Sequence, residues 1–190
     1  GEILTLARLD SGTVGNLDEP VDLADVLTHL ADDAQFEAEA KSCVMALECP
    51  TSVSVTGNAG LLHRAFENVI RNAVRHSPTG GQIMIYVKTE DPWLQIRVED
   101  EGPGVPDADL ERIFEPFVRL VASNEQGHGL GLAIARRIIH KHGGKISAVR
   151  RPNRGLRVII WLPRGAEVEG QDHTKSTAAG CPPAVRPEAV

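Results

Sequence analysis

Asn68 and Asn72 stand one helical turn apart, with Arg75 and His76 one turn further, in the run Glu67-Asn68-Val69-Ile70-Arg71-Asn72-Ala73-Val74-Arg75-His76. At this spacing the polar groups share one edge of a helix, beside the apolar stripe Leu62, Ala65, Phe66, Val69 and Ala73. A side-chain amide oxygen is a hard, neutral ligand suited to Mg²⁺, and a neighbouring guanidinium can neutralise phosphate oxygens. The same residues are also compatible with a plain solvated face, since Asn is only a modest helix former.

A second group, Asp100-Glu101-Gly102-Pro103-Gly104, directly follows a strand-like run. A carboxylate at a strand end can accept a hydrogen bond from the exocyclic amine of adenine, a donor that the carbonyl of guanine does not offer. The glycines let backbone approach a base closely. These five residues read equally well as an ordinary turn.

The third group, Gly127-His128-Gly129-Leu130-Gly131-Leu132, opens a helix. Unpaired amides and the positive end of the helix dipole make such an entry a seat for phosphate, although glycine before a helix is common. The dinucleotide fingerprint is excluded. The spacing is G-x-G-x-G, a loop rather than a strand precedes it, and no acid lies about 20 residues on. No Gly-Lys-Ser/Thr follows, so it is not a Walker loop either.

The elements that must position these groups follow from periodicity. Leu23, Val26, Leu27, Leu30 and Ala34 predict a helix over 23–40, and the stripe above predicts one over 60–76, ended by Ser77-Pro78-Thr79-Gly80-Gly81. Strand-like runs occupy Val44–Glu48, Ser52–Thr56, Gln82–Thr89 and Trp93–Asp100, with Glu90-Asp91-Pro92 as the turn of an antiparallel pair. Residues 101–128 are rich in Gly, Pro and polar side chains around the hydrophobic knot Ile113-Phe114-Glu115-Pro116-Phe117. A long segment of this kind inside a domain is usually functional, often a lid. A helix over 129–142 and strands Lys145–Val149 and Arg157–Leu162 follow. This order predicts an α+β layer, with helices on one face of a mixed sheet.

The 190 residues suit one domain with flexible ends, and 42% hydrophobic residues suffice for a core. The net charge of −6 and the lack of any Lys/Arg cluster longer than Arg136-Arg137 or Arg150-Arg151 argue against a nucleic-acid partner. Three widely spaced cysteines, Cys43, Cys49 and Cys181, form no Cys-x-x-Cys pair and show no zinc spacing with the seven histidines. A reducing compartment fits this usage. No apolar run reaches the roughly 18 residues of a membrane span, so no membrane contact by this chain is expected. Ile3, Leu4, Leu6, Ala7 and Leu9 keep helical spacing up to Asp10-Ser11-Gly12, the last turns of a helix expected to begin upstream. Residues 165–190 mix Gly, Ala, Pro, Thr and Glu without periodicity and are expected to form a disordered tail.

Three weak signals in a fixed order, separated by the right strands, are together specific. Over roughly residues 3–163 they resemble the histidine kinase ATPase domain of the gyrase–Hsp90–histidine kinase–MutL superfamily. Asn68–Asn72 is similar to its N box, Asp100–Gly104 to its G1 box, Ile113–Phe117 to its F box and Gly127–Leu132 to its G2 box. The resemblance implies a Bergerat-type fold, a two-layer α/β sandwich whose mixed sheet is mostly antiparallel. It implies a division into the end of a dimerisation and phosphotransfer helix (1–12), a linker (13–20), the catalytic domain (21–164) and the tail (165–190).

Carried over by matched position, the resemblance implies that Asn72 coordinates Mg²⁺ and that Asn68 bonds near it, with a catalytic part. It puts Arg75 on phosphate, His76 beside the nucleotide and Asp100 on the adenine amine. Gly102, Gly104 and Phe114 would shape the pocket. The stretch from Val118 to Gly127 would be the ATP lid, with Arg119 reaching the γ-phosphate as a second catalytic group. Gly127, His128, Gly129, Leu130, Gly131 and Leu132 would complete the nucleotide site.

The implied partners are a dimerisation and phosphotransfer domain and a response regulator. The implied setting is the cytoplasmic side of a bacterial inner-membrane homodimer. Two features depart from the pattern: the lid lacks a glycine before Gly127, and Gly155-Leu156-Arg157 stands where many members have Gly-Thr. The ending Arg157-Val158 with Trp161-Leu162-Pro163 resembles the envelope-stress kinases of the CpxA type. A non-kinase ATPase of the superfamily would need a water-activating Glu at position 68, and Glu67 is one residue off. A serine-directed kinase shares the fold, but the helix end Leu4–Gly12 argues against it. A protein-interaction module with a degenerate site is disfavoured by the intact boxes.

Overall fold

The computed structural model describes residues 2–10, 15–119 and 129–165. Helix α1 (Glu2–Asp10) precedes strand β1 (Glu19–Asp22), helix α2 (Leu23–Glu39), strands β2 (Val44–Glu48) and β3 (Ser54–Gly57), and helix α3 (Ala59–His76). Strands β4 (Gln82–Glu90) and β5 (Trp93–Glu99) come next, then 3₁₀ turns at Asp107–Asp109 and Arg112–Phe114. Helix α4 (Gly131–Lys141) and strands β6 (Lys145–Arg150) and β7 (Leu156–Pro163) follow.

Five strands form one sheet in the order β2-β4-β5-β7-β6, parallel only between β2 and β4. Alternation along each strand sorts its side chains onto two faces. Ile83 and Ile85 of β4, Leu94 and Ile96 of β5, and Val158 and Ile160 of β7 join one core with Leu27 of α2, Phe66 of α3 and Ile134 of α4. On the opposite face Trp93, Ile159 and Trp161 make a smaller cluster with Val149. This is the expected α+β sandwich, with helices on one face of a mixed, mostly antiparallel sheet. Its register is fixed by burial: Ile96 pairs with Val87 on one side and Ile160 on the other, and a one-residue slip would turn these side chains out of the core.

Local chemistry sets the helix ends. The Asp22 carboxylate accepts from the amides of Ala24 and Asp25 at 3.0 and 3.2 Å and so starts α2. Asn58 starts α3 in the same way, its Oδ1 accepting from the Leu61 amide at 3.0 Å. At the other end of α3, Lys41 Nζ donates to the carbonyls of Val74 and Arg75 at 3.1 and 2.7 Å, a cation on the negative end of the dipole.

The structure departs from the sequence-based expectation at three boundaries. Residues 19–22, where the sequence predicts no strand and the linker is expected to run to residue 20, are strand β1. The strand expected over 52–56 begins at Ser54 and pairs with β1 rather than with the main sheet, Glu19 lying opposite Gly57. Helix α4 begins at Gly131 rather than 129, because Gly129 takes φ +68° and Leu130 is the N-cap. Each depends on a partner distant in the chain, which periodicity does not report. Among the described residues no helix is long and apolar enough to cross a membrane.

Candidate functional site

The end of β5 is built around Asp100, whose side chain is buried. Its Oδ1 accepts from the Gly102 amide at 2.8 Å and from the Leu156 amide at 3.2 Å. The Asp100 amide itself donates to Leu156 O at 3.0 Å, so the β5–β7 ladder is closed by a side chain. The second oxygen, Oδ2, has no hydrogen bond among the described residues and is not sealed from solvent. Burial pushes the Asp100 pKa above the ordinary carboxylate range. The two amides, His76 and Arg151 oppose that rise without cancelling it. The group is therefore an acceptor held ready for a donor that the described residues do not supply.

Glycine is required on both sides of this carboxylate. A Cβ at Gly102 would lie 2.7 Å from His76 O, so the turn seats directly on the end of α3. Gly104 takes φ +73°, and a Cβ there would sit 3.1 Å from Gly155 O. The β6–β7 turn backs the whole group. Arg151 donates to Asp100 O at 2.7 Å and Arg154 to Gly102 O at 3.3 Å. The buried Glu99 pairs with Arg151 at 3.3 Å and Arg157 at 2.6 Å. Removing one partner of a buried ion pair strands the other charges. Glu99→Ala is thus expected to lower the unfolding free energy by about 2–3 kcal/mol, below the full range because the arginines keep some water. Urea denaturation measures it; a loss under about 0.5 kcal/mol would match an ordinary surface substitution and would mean that the arginines are adequately solvated without it.

Helix α3 forms the common wall. Its residue His76 neighbours Asp100 and Gly102, while Asn68, about 12 Å earlier along the helix at 1.5 Å per residue, meets the start of α4. Asn68 Nδ2 donates to Arg64 O at 3.0 Å, and its Oδ1 lies 3.1 Å from where a Cβ of Gly131 would be. Asn72, half-buried between them, has no side-chain hydrogen bond among the described residues. Arg75 is exposed and lines a different cavity, about 380 Å³, with Glu37, Lys41, Arg71 and Val74 on the α2 side of α3.

Leu130 caps α4 without any side-chain hydrogen bond, and the first amides of that helix have no side-chain partner among the described residues. The Leu130 side chain is buried in the core and Leu132 packs partly against it. Phe114 is also a core residue, its ring 5.9 Å from the Arg136 guanidinium. Phe114 and Leu130 therefore belong to the frame of the site, while Leu132 stays half-buried at its edge.

Gly127, His128 and residues 120–126 of the expected lid lie outside the described residues. The two ends of that stretch are joined. Phe117, at φ +66°, donates its amide to Gly129 O at 2.9 Å. A Cβ at Gly129 would come within 2.8 Å of Val118 O. Arg119 stands exposed just past this junction.

Sequence reasoning missed Glu99, Arg151 and Arg154, and it named Gly155 without giving it a role. The one available signal was Gly155 behind Arg151 and Arg154 in a hairpin turn.

The family profile for histidine kinase-, DNA gyrase B- and HSP90-like ATPases matches residues 57–166. Sensor protein PfeS of Pseudomonas aeruginosa is 39% identical over 170 residues, covering 87% of this chain and 37% of its own length. Sensor histidine kinase CpxA of Escherichia coli is 38% identical over 140 residues, covering 72% of this chain and 30% of its own. The chain thus spans well under half of these curated relatives. Among solved structures, full-length ShkA in complex with AMPPNP superposes with a TM-score of 0.75 at 27% identity, covering 86% of this chain and 34% of that one. With the profile matching more than half its length, the chain belongs to the histidine kinase-, DNA gyrase B- and HSP90-like ATPase family.

Proposed function

We propose that this chain is the catalytic part of a two-component sensor histidine kinase: it holds ATP with Mg²⁺ and presents the γ-phosphoryl group to a histidine of a dimerisation and phosphotransfer domain, for relay to an aspartate of a response regulator. The observation that carries the reading is Asp100. A buried carboxylate with one satisfied and one open oxygen, beside two glycines, suits a flat base bearing an amine. Support comes from ShkA, solved with the ATP analogue AMPPNP, and from the kinase name borne by CpxA.

The donor set fits the group. Asn72 offers an uncommitted amide oxygen to Mg²⁺, with Asn68 beside it. The amides at the start of α4, from Gly131 on, would receive phosphate, and Arg119 would reach the γ-phosphate. His76 would complete the phosphate side of α3, whereas Arg75 lines the cavity on the α2 side of that helix. Bound Mg²⁺ supplies charge neutralisation on the phosphates, and phosphoryl transfer asks the protein mainly for positioning. The parent protein is read as a membrane-anchored homodimer with this region in the cytoplasm.

None of the seven histidines is followed by an acid and then, a few residues on, by a proline. The chain alone is therefore expected to bind ATP and ADP with Mg²⁺ far better than GTP, yet not to phosphorylate itself. Calorimetry and [γ-³²P]ATP labelling test both halves. Equal affinity for GTP would remove the adenine reading of Asp100, and a base-stable, acid-labile label would show an acceptor within the chain.

A further inference from the structure

His142 caps α4, and the proposed nucleotide chemistry leaves it without a task. Its ring is buried and held at both nitrogens. Nδ1 lies 2.7 Å from Ile138 O in its own helix. Nε2 accepts from the backbone amide of Asn58 at 3.0 Å. A carbonyl can only accept and an amide N–H can only donate, so the ring is neutral and carries its proton on Nδ1. Burial favours the same form by lowering the imidazole pKa. Gly57 supplies the room: a Cβ there would fall 2.8 Å from Nε2 and collide with Cδ2 of the ring.

The residue that His142 grips is the N-cap of α3, whose side chain and carbonyl begin that helix by accepting from Leu61 and Leu62. Helices α3 and α4 therefore touch at two points in antiparallel order, Asn58 with His142 and Asn68 with Gly131. Ten residues separate the first and third of these positions and eleven the other two, about 15 and 16.5 Å at 1.5 Å per residue. The near match makes the far contact a determinant of the near one.

We propose that His142 is a positioning residue of the nucleotide site: by tying the end of α4 to Asn58 it sets the register of α4 along α3, and so the placement of the Gly131 amides against Asn68 and Asn72. The inference rests on the reading of that site as nucleotide-binding.

Two variants separate positioning from bulk. His142→Leu keeps an apolar filling and removes both bonds. His142→Gln keeps an amide oxygen to accept from Asn58 N–H. On the full chain, ¹⁵N NMR reads the histidine tautomer and the hydrogen exchange of the Asn58 amide, and TNP-ATP with Mg²⁺ reads affinity. The wild type should show the Nδ1–H tautomer and a protected Asn58 amide. His142→Leu should lose that protection and weaken binding about five- to tenfold, the scale of a lost hydrogen bond. His142→Gln should restore both to within about twofold on the same scale. An Nε2–H tautomer would overturn the proposal. So would wild-type affinity in His142→Leu, or equal defects in the two folded variants. If the wild type binds no TNP-ATP, the nucleotide reading falls and takes this proposal with it. That failure is distinguishable, because the tautomer and the Asn58 protection would persist.

Discussion

Asp100→Asn is expected to weaken ATP binding by about 10- to 100-fold, the loss of a hydrogen bond to a charged group, while leaving GTP affinity little changed. The substitution is nearly isosteric. Its Oδ1 can still accept from Gly102 and Leu156, so the turn survives. What changes is the open position, which becomes an amide donor facing the adenine amine, itself a donor. Stability should move the other way. Burial raises the folded pKa of Asp100 above the ordinary carboxylate value of 3.8. The fold therefore binds more protons than the unfolded chain within that window. The favourable contribution is complete below pH 3.8 and is lost as pH rises through the folded pKa. Above the folded pKa the ionised group thus costs the nucleotide-free chain stability, and there Asp100→Asn should raise the urea midpoint. Calorimetry with ATP and GTP, paired with denaturation, checks both. Weaker ATP binding together with lower stability would mean that Asp100 is a structural residue only.

Gly155→Ala is expected to be the most damaging small substitution in the chain. Gly155 takes φ +98°, and its Cβ would collide with Asp100 O and lie 3.0 Å from Glu101 Cα. Backbone meets backbone, so no side chain can swing aside. Strain at positive φ and forced displacement together cost about 3 kcal/mol or more, a large share of the 5–15 kcal/mol that stabilises a typical domain. Relief is available only by moving the Asp100 turn, so nucleotide affinity should fall with stability. Gly80→Ala is the matched control: φ is +77° there, but nothing lies within 4 Å of the added methyl. It should cost about 1 kcal/mol from the dihedral alone. Equal losses in the two variants would show that the β6–β7 turn yields freely and does not buttress Asp100.

Much of this architecture was legible in the residue pattern because burial repeats locally. The stripe from Leu62 to Ala73 announces α3 at a period of 3.6, and Ile83, Ile85 and Val87 announce β4 at a period of 2. Two of the three polar motifs were legible for a related reason: Asn68 with Asn72, and Asp100 with Gly102, each lie within one turn of chain. Strand β1 was not legible. Glu-Pro-Val-Asp has too little alternation to register, and its partner β3 lies more than 30 residues away.

Residue order alone suffices for the α+β class, the helix edge bearing Asn68 and Asn72, and the strand-end carboxylate at Asp100, since each is a local repeat or a single turn. Packing in three dimensions settles that Asp100 keeps one oxygen without a partner among the described residues and that Glu99 and three arginines hold it from behind. It alone joined Phe117 to Gly129 across the expected lid and locked α4 to α3 through His142. Those contacts join residues up to 84 positions apart. Such pairings are selected by how whole elements pack, and they impress no period on the stretch of chain that contains either partner.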